Sequence, residues 1–107
     1  MTKRKVKRPA KEPDLLQKVR SAIESGNYLD TTHASLRQSE RSITRPEYEY
    51  ILKRGWHEVL KDQFSETYQA WNYAVRGKTL DQRELRIIVS FDPEGLLIIT
   101  VIELEVL

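Results

Sequence analysis

His33, Arg37 and Arg41 recur at four-residue intervals. On a continuous helix they would line one imidazole and two guanidinium groups along a ridge about 12 Å long, at ~1.5 Å of rise per residue. An imidazole ordinarily titrates near pH ~6.5 and can exchange a proton close to neutrality, whereas arginine stays charged and forks onto phosphate. Cleaving RNA through its own 2′-hydroxyl needs a base for that hydroxyl, a cation for the crowded phosphorane and an acid for the leaving oxygen. A metal is not obligatory for this chemistry. The competing reading pairs the arginines with Glu40, Glu47 or carboxylates on strands and leaves His33 to cap or pack.

A second polar group comprises His57, Lys61 and Asp62. His57 beside Glu58 resembles a base with an orienting acid, but neighbouring strand residues point to opposite faces. These two imidazoles are the only ones in the chain, with no H-x-x-x-H or H-E-x-x-H spacing, and cysteine is absent. Thiolate zinc sites, disulfides and iron–sulfur clusters are thereby excluded, and neither a metal nor another cofactor is expected. A glycine-rich phosphate loop and a G-x-S-x-G elbow are also missing. Trp71, Tyr73 and Val75 alternate along one stretch, opposite a row of Ala70, Asn72, Ala74 and Arg76. Exposed aromatics of this kind stack unpaired bases at roughly 1–3 kcal/mol each, whereas aromatics beside valine more often fill cores. Which row shares a face with Arg86 depends on a pairing register that sequence does not supply.

The elements that would position these groups fit one unit. The chain has 107 residues, 39% of them hydrophobic, and a formal charge of +2. Six of the cations, Lys3, Arg4, Lys5, Lys7, Arg8 and Lys11, fall within the first eleven residues, so the remainder carries +2 − 6 = −4. Residues 1–13 read as a flexible basic tail, either merely solvated or binding phosphate, and residues 14–107 as the single domain. Leu15, Leu16, Val19, Ala22 and Ile23 form a helical stripe, started near Pro13-Asp14 and stopped by Gly26-Asn27. A strand or extended connector over Tyr28–Thr32 leads to a polar helix over 33–42. Thr44-Arg45-Pro46-Glu47 then reads as a capping box, opening a helix that ends at Gly55.

Stretches at 56–61, 68–76, 84–92 and 95–106 are rich in aromatic and β-branched residues and read as strands. Gly77-Lys78 and Asp92-Pro93-Glu94-Gly95 read as the turns between the last three, the second forcing a hairpin. The expectation is an α+β domain, its N-terminal helices packed on one face of a twisted, mainly antiparallel sheet of about four strands. On that sheet Leu85, Ile87, Val89 and Phe91 share one face and Arg86, Ile88 and Ser90 the other. The most apolar run, Leu96–Ile102, is far shorter than the ~20 residues that cross a bilayer, and no secretory signal is visible. A cytoplasmic protein without a membrane partner is expected.

The string His33-Ala34-Ser35-Leu36-Arg37-Gln38-Ser39-Glu40-Arg41-Ser42-Ile43-Thr44 is followed by a helix to Gly55, by Trp71-Asn72-Tyr73 and by Leu85-Arg86-Ile87-Ile88-Val89. In this order the motifs resemble small uncharacterised bacterial domains with an H-A-x-x-R-x-x-x-R signature, related to the BrnT and RelE toxins, over roughly residues 27–105. The resemblance implies a toxin-like fold and a metal-independent endoribonuclease of a toxin–antitoxin system. His33, Arg37, Arg41 and Arg86 would be its catalytic groups, with Tyr73, Arg76 and Lys61 as substrate-binding helpers. RNA, including ribosome-bound mRNA, and a cognate antitoxin protein would be the partners. A non-catalytic protein- or nucleic-acid-binding module on the same fold is the alternative. The first 26 residues stand outside the resemblance, as an RNA-binding arm, a cover for the active face or a self-association element.

Overall fold

A computed structural model describes residues 8–31 and 43–105. Helix α1 (Leu15–Ser25) ends where Gly26 turns left-handed at φ 76° and its N–H reaches back to the last carbonyls. That conformation costs glycine nothing and other residues about 1–2 kcal/mol. Helix α2 (Arg45–Arg54) opens on the capping box read from the sequence. Glu47 N–H donates to the Thr44 hydroxyl at 3.4 Å, and the Glu47 carboxylate accepts from Thr44 N–H at 2.9 Å. Burial pushes this carboxyl up, but the Thr44 donors and the Arg83 guanidinium outweigh it and hold it below the usual carboxylate range.

Among the described residues six strands, not about four, build the sheet: β1 (Tyr28–Asp30), β2 (Trp56–His57), β3 (Gln63–Ser65), β4 (Ala70–Lys78), β5 (Glu84–Asp92) and β6 (Gly95–Leu104). Their order is β1-β6-β5-β4-β2, with β3 also on β4. All pairs are antiparallel except β1 with β6, which runs parallel from Tyr28 opposite Leu96 to Asp30 opposite Ile98. The extra strands arise because the stretch at 56–61 is not one strand. After His57 the chain leaves the β4 edge in a 3-10 turn (Val59–Lys61) and returns as β3. Strand β4 begins later than expected, Tyr68 lying in a turn, and runs on through Gly77-Lys78. The β4–β5 turn falls at residues 79–83 instead, where the Thr79 hydroxyl accepts from Arg83 N–H at 3.0 Å.

The core lies between the two described helices and one sheet face. Leu15, Val19 and Ile23 of α1 and Tyr48, Ile51 and Leu52 of α2 pack on Tyr73, Val75, Leu85, Ile87, Val89, Leu96, Ile98 and Val101. In β6 the buried positions are spaced by two and then three. The register skips Ile99 between Ile98, opposite Val89, and Thr100, opposite Ile88. This one-residue bulge returns Val101 to the core face, which strict alternation would deny it. At the β5–β6 hairpin the Asp92 carboxylate accepts from the N–H groups of Glu94 and Gly95, at 2.8 and 2.9 Å, fixing the turn. No helix among the described residues is long and apolar enough to cross a membrane.

Candidate functional site

The looped-out stretch of chain between β2 and β3 creates two polar clusters, one on each face of the sheet. His57 lies opposite Val75 and so shares the helix face, whereas Trp56 lies opposite Arg76 on the other. Where pairing is interrupted, Glu58 N–H still donates to the Ala74 carbonyl at 2.8 Å. The Ala74 N–H has no backbone carbonyl across from it and donates to the Asp62 side chain instead, at 3.0 Å. Asp62 thus substitutes a carboxylate for a missing ladder acceptor, keeping the buried amide satisfied.

On the face turned away from α1 and α2, Arg76 and Arg86 are cross-strand neighbours. Two guanidinium groups so placed repel, and Glu58 is the residue that reconciles them. Its carboxylate takes Nε and Nη2 of Arg86 at 2.6 and 3.1 Å and Nη1 of Arg76 at 3.0 Å. Arg76 Nε also donates to Glu84 at 2.8 Å, and its guanidinium lies 5.9 Å from the centre of the Trp56 ring. The hydrogen bonds from Arg86, reinforced by Arg76 against the cost of burial, hold the Glu58 carboxyl below the usual carboxylate range. The hydrogen bonds to Glu84 and then Glu58, against the cost of burial, raise the proton affinity of Arg76 above its ordinary value.

The second cluster sits on the helix face at the same edge. His57 Nε2 contacts Asp62 Oδ2 at 2.7 Å, and the imidazole meets Tyr73 edge-on at 5.9 Å between ring centres. The Asp62 side chain is 0% exposed and also receives Lys11 Nζ at 3.0 Å. Tyr73 is buried, which pushes its phenol up and keeps it protonated, and its oxygen accepts from Glu12 N–H at 2.9 Å. A cavity of about 310 Å³ bordered by residues 13–17 opens beside His57. An imidazole held by a buried carboxylate can take up and return a proton, given a substrate hydroxyl to serve.

Of the residues singled out from sequence, Arg86 and Arg76 are brought together, on the row of Asn72, Ala74 and Arg76 that register now assigns to the Arg86 face. Tyr73 lies on the opposite face, and Lys61 is exposed on the 3-10 turn. His33, Arg37 and Arg41 lie outside the described residues. The sequence reading passed over Glu58 as a site residue and noted Asp62 only as part of a loose polar group. Strand parity ruled out Glu58 as a partner of His57, and the same parity puts it beside Arg86 once β2 is registered on β4. Asp62 left no such signal, because its role depends on the looped-out chain. Among the described residues no group of three or more His, Asp or Glu is placed to hold a metal ion.

An α+β domain with a mostly antiparallel sheet, helices on one face and paired arginines on the other defines the class of this protein. The chain belongs to the family described as Domain of unknown function (DUF4258), whose model matches residues 31–103. Neither the curated proteins nor the solved structures contain a match to it.

Proposed function

We propose that the protein is a toxin-type endoribonuclease related in fold to the BrnT and RelE toxins, acting in the cytoplasm without a metal and held in check by a cognate antitoxin protein. The observation that carries the reading is the Arg76–Arg86 pair, oriented by Glu58 on the sheet face that α1 and α2 leave uncovered. A guanidinium has five N–H donors, and Glu58 takes two from Arg86, so a phosphate oxygen can use the remainder while the side chain stays aimed. In this reading Arg86 and Arg76 neutralise the charge that builds on the phosphorane, with Arg37 and Arg41 adding to that field. His33 moves the proton between the 2′-hydroxyl and the leaving 5′-oxygen. Glu58 is a positioning residue, and Lys61 a peripheral cation for the RNA backbone.

The test is incubation of the purified chain with single-stranded and ribosome-bound RNA in the presence of EDTA. New ends carrying 2′,3′-cyclic phosphate, absent with His33→Ala at unchanged thermal stability, are the expected result. Intact RNA in both forms, or equal cutting by His33→Ala, overturns the proposal.

One observation favours a second reading, a non-catalytic binding module. Arg76, Arg86, Glu58 and Glu84 sum to zero charge, the arrangement of a structural network rather than an anion site. Harmless expression together with a stoichiometric co-purifying partner would select this reading. Growth arrest relieved by His33→Ala would select the nuclease.

A further inference from the structure

Residues 8–12 cross the β3–β4 edge without joining the sheet, held by hydrogen bonds, ion pairs and cation–π contacts. Arg8 pairs with Glu66 at 3.1 Å and lies 5.0 Å from the centre of the Phe64 ring. The Pro9 carbonyl accepts from Trp71 Nε1 at 2.8 Å. Lys11 sets its ammonium on the buried Asp62 and 4.6 Å from the Trp71 ring centre. Glu12 N–H donates to the Tyr73 hydroxyl. None of the five side chains is buried, and among the described residues the first apolar anchor is Leu15, beyond Pro13.

The groove and its occupant therefore differ in kind. The walls, Phe64, Trp71 and Tyr73 with Asp62 and Glu66, belong to the family domain, whereas the occupant precedes the matched region. The walls are also held independently of the occupant. Phe64 and Trp71 pack edge-on at 5.3 Å, and Asp62 is fixed by Ala74 and His57. A carboxylate shut away from water beside an indole face selects an ammonium group, and an exposed carboxylate beside a phenyl ring suits a guanidinium. The indole N–H and the phenol oxygen match a backbone C=O and N–H, which requires the ligand to be extended.

The structure assigns this groove as a recognition site for an extended basic peptide with Arg and Lys three residues apart. The chain's own arm fills it in cis, and it is open to exchange with the same pattern supplied in trans. Tethering gives the arm an effective concentration of about millimolar order, so trans binding emerges when the arm is weakened. The assignment stands whether or not the protein cuts RNA.

The probe is a capped peptide of residues 7–14, Lys-Arg-Pro-Ala-Lys-Glu-Pro-Asp, titrated into ¹⁵N-labelled full-length protein. In the Arg8→Ala/Lys11→Met variant the Trp71 indole N–H resonance should move with saturation while that of Trp56 stays in place. Binding should be at least tenfold tighter than to the unaltered chain, and lost when Arg8 and Lys11 of the peptide are replaced by Gln. Equal binding to both proteins, equal binding of the Gln peptide, or no movement of Trp71 at several millimolar peptide overturns the assignment. Movement of Trp71 by oligouridylate in place of the peptide overturns it as well, in favour of a nucleic-acid groove.

Discussion

Replacing Glu58 by Gln keeps the shape of the side chain and removes the charge between Arg76 and Arg86. Breaking a buried ion pair by deleting one partner costs about 3–5 kcal/mol, most of it from the charge left behind. Here the carboxylate side chain is 10% exposed, while that of Arg86 keeps 17% and that of Arg76 28% of its surface in water. Solvent therefore relieves part of the cost, which places Glu58→Gln at about 2–3 kcal/mol. For a domain of this size that lowers Tm by roughly 10–15 °C. Thermal and urea unfolding, followed by circular dichroism at pH 7, provide the measurement. Combining Glu58→Gln with Arg86→Met removes the stranded charge, so the double variant should be more stable than the sum of the two single losses predicts. A Glu58→Gln protein within ~0.5 kcal/mol of the parent, or strict additivity in the cycle, would refute the claim that Glu58 holds the two arginines together.

The same carboxylates set the acid limb of stability. Glu58 and Glu47 titrate below their unfolded values, so their contribution is complete above the ordinary carboxylate range and lost as pH falls through the lowered folded values. Urea midpoints measured from pH 7 to pH 3 should fall, and Glu58→Gln should flatten that fall; an unchanged slope counts against the assignment. Tyr48 is fully buried and donates to Asp30 Oδ2 at 2.8 Å, with burial and then that bond pushing its phenol well up. Tyr48→Phe should cost about 1–2 kcal/mol in the same unfolding assay, with no change in the urea m-value. At Gly55 an added Cβ would stand 2.5 Å from the Arg76 carbonyl and 2.6 Å from that of Ile51, both rigid backbone. Gly55→Ala should therefore cost about 1–3 kcal/mol although φ at this position is ordinary, and a neutral result would mean the α2–β4 junction yields.

Local chemistry was legible in the sequence where a single segment decides it. The capping box at Thr44–Glu47, the glycine stop at Gly26 and the Asp92–Gly95 hairpin each depend on four or five adjacent residues, and each stands where the pattern placed it. The alternation of Leu85, Ile87 and Val89 against Arg86 and Ile88 was legible for the same reason. What depended on pairing between distant segments was not. Gly77 reads as a turn residue, yet it continues β4 beside Ile51, where a larger residue would crowd α2. The 58–62 excursion is invisible because Val59 and Leu60 have strand propensity but no strand partner, and both end exposed. Residues 8–12 read as part of a flexible basic tail, solvated or phosphate-binding, because they offer nothing to bury, and their contacts with Asp62, Phe64 and Trp71 appear only once the β3–β4 edge exists.

The match to the family begins at residue 31, but the fold does not. Helix α1 places Leu15, Val19 and Ile23 in the core, each at most 5% exposed. Burying side chains of this size is worth about 1.5–3 kcal/mol apiece, hence roughly 5–9 kcal/mol together, against a typical total of ~5–15 kcal/mol for a whole domain. Strand β1 covers the edge of β6, and Asp30 at its end receives the Tyr48 hydroxyl from α2. A chain limited to residues 31–103 would expose the upper faces of Leu96 and Ile98, leave an open β6 edge and forfeit most of its margin. It should show no cooperative thermal transition and should bind a hydrophobic dye, whereas residues 8–105 should unfold cooperatively near the temperature of the full chain. A cooperative transition of the 31–103 chain within ~5 °C of the parent would mean that α1 contributes less than about 1 kcal/mol, and that the core is closed by the matched region alone.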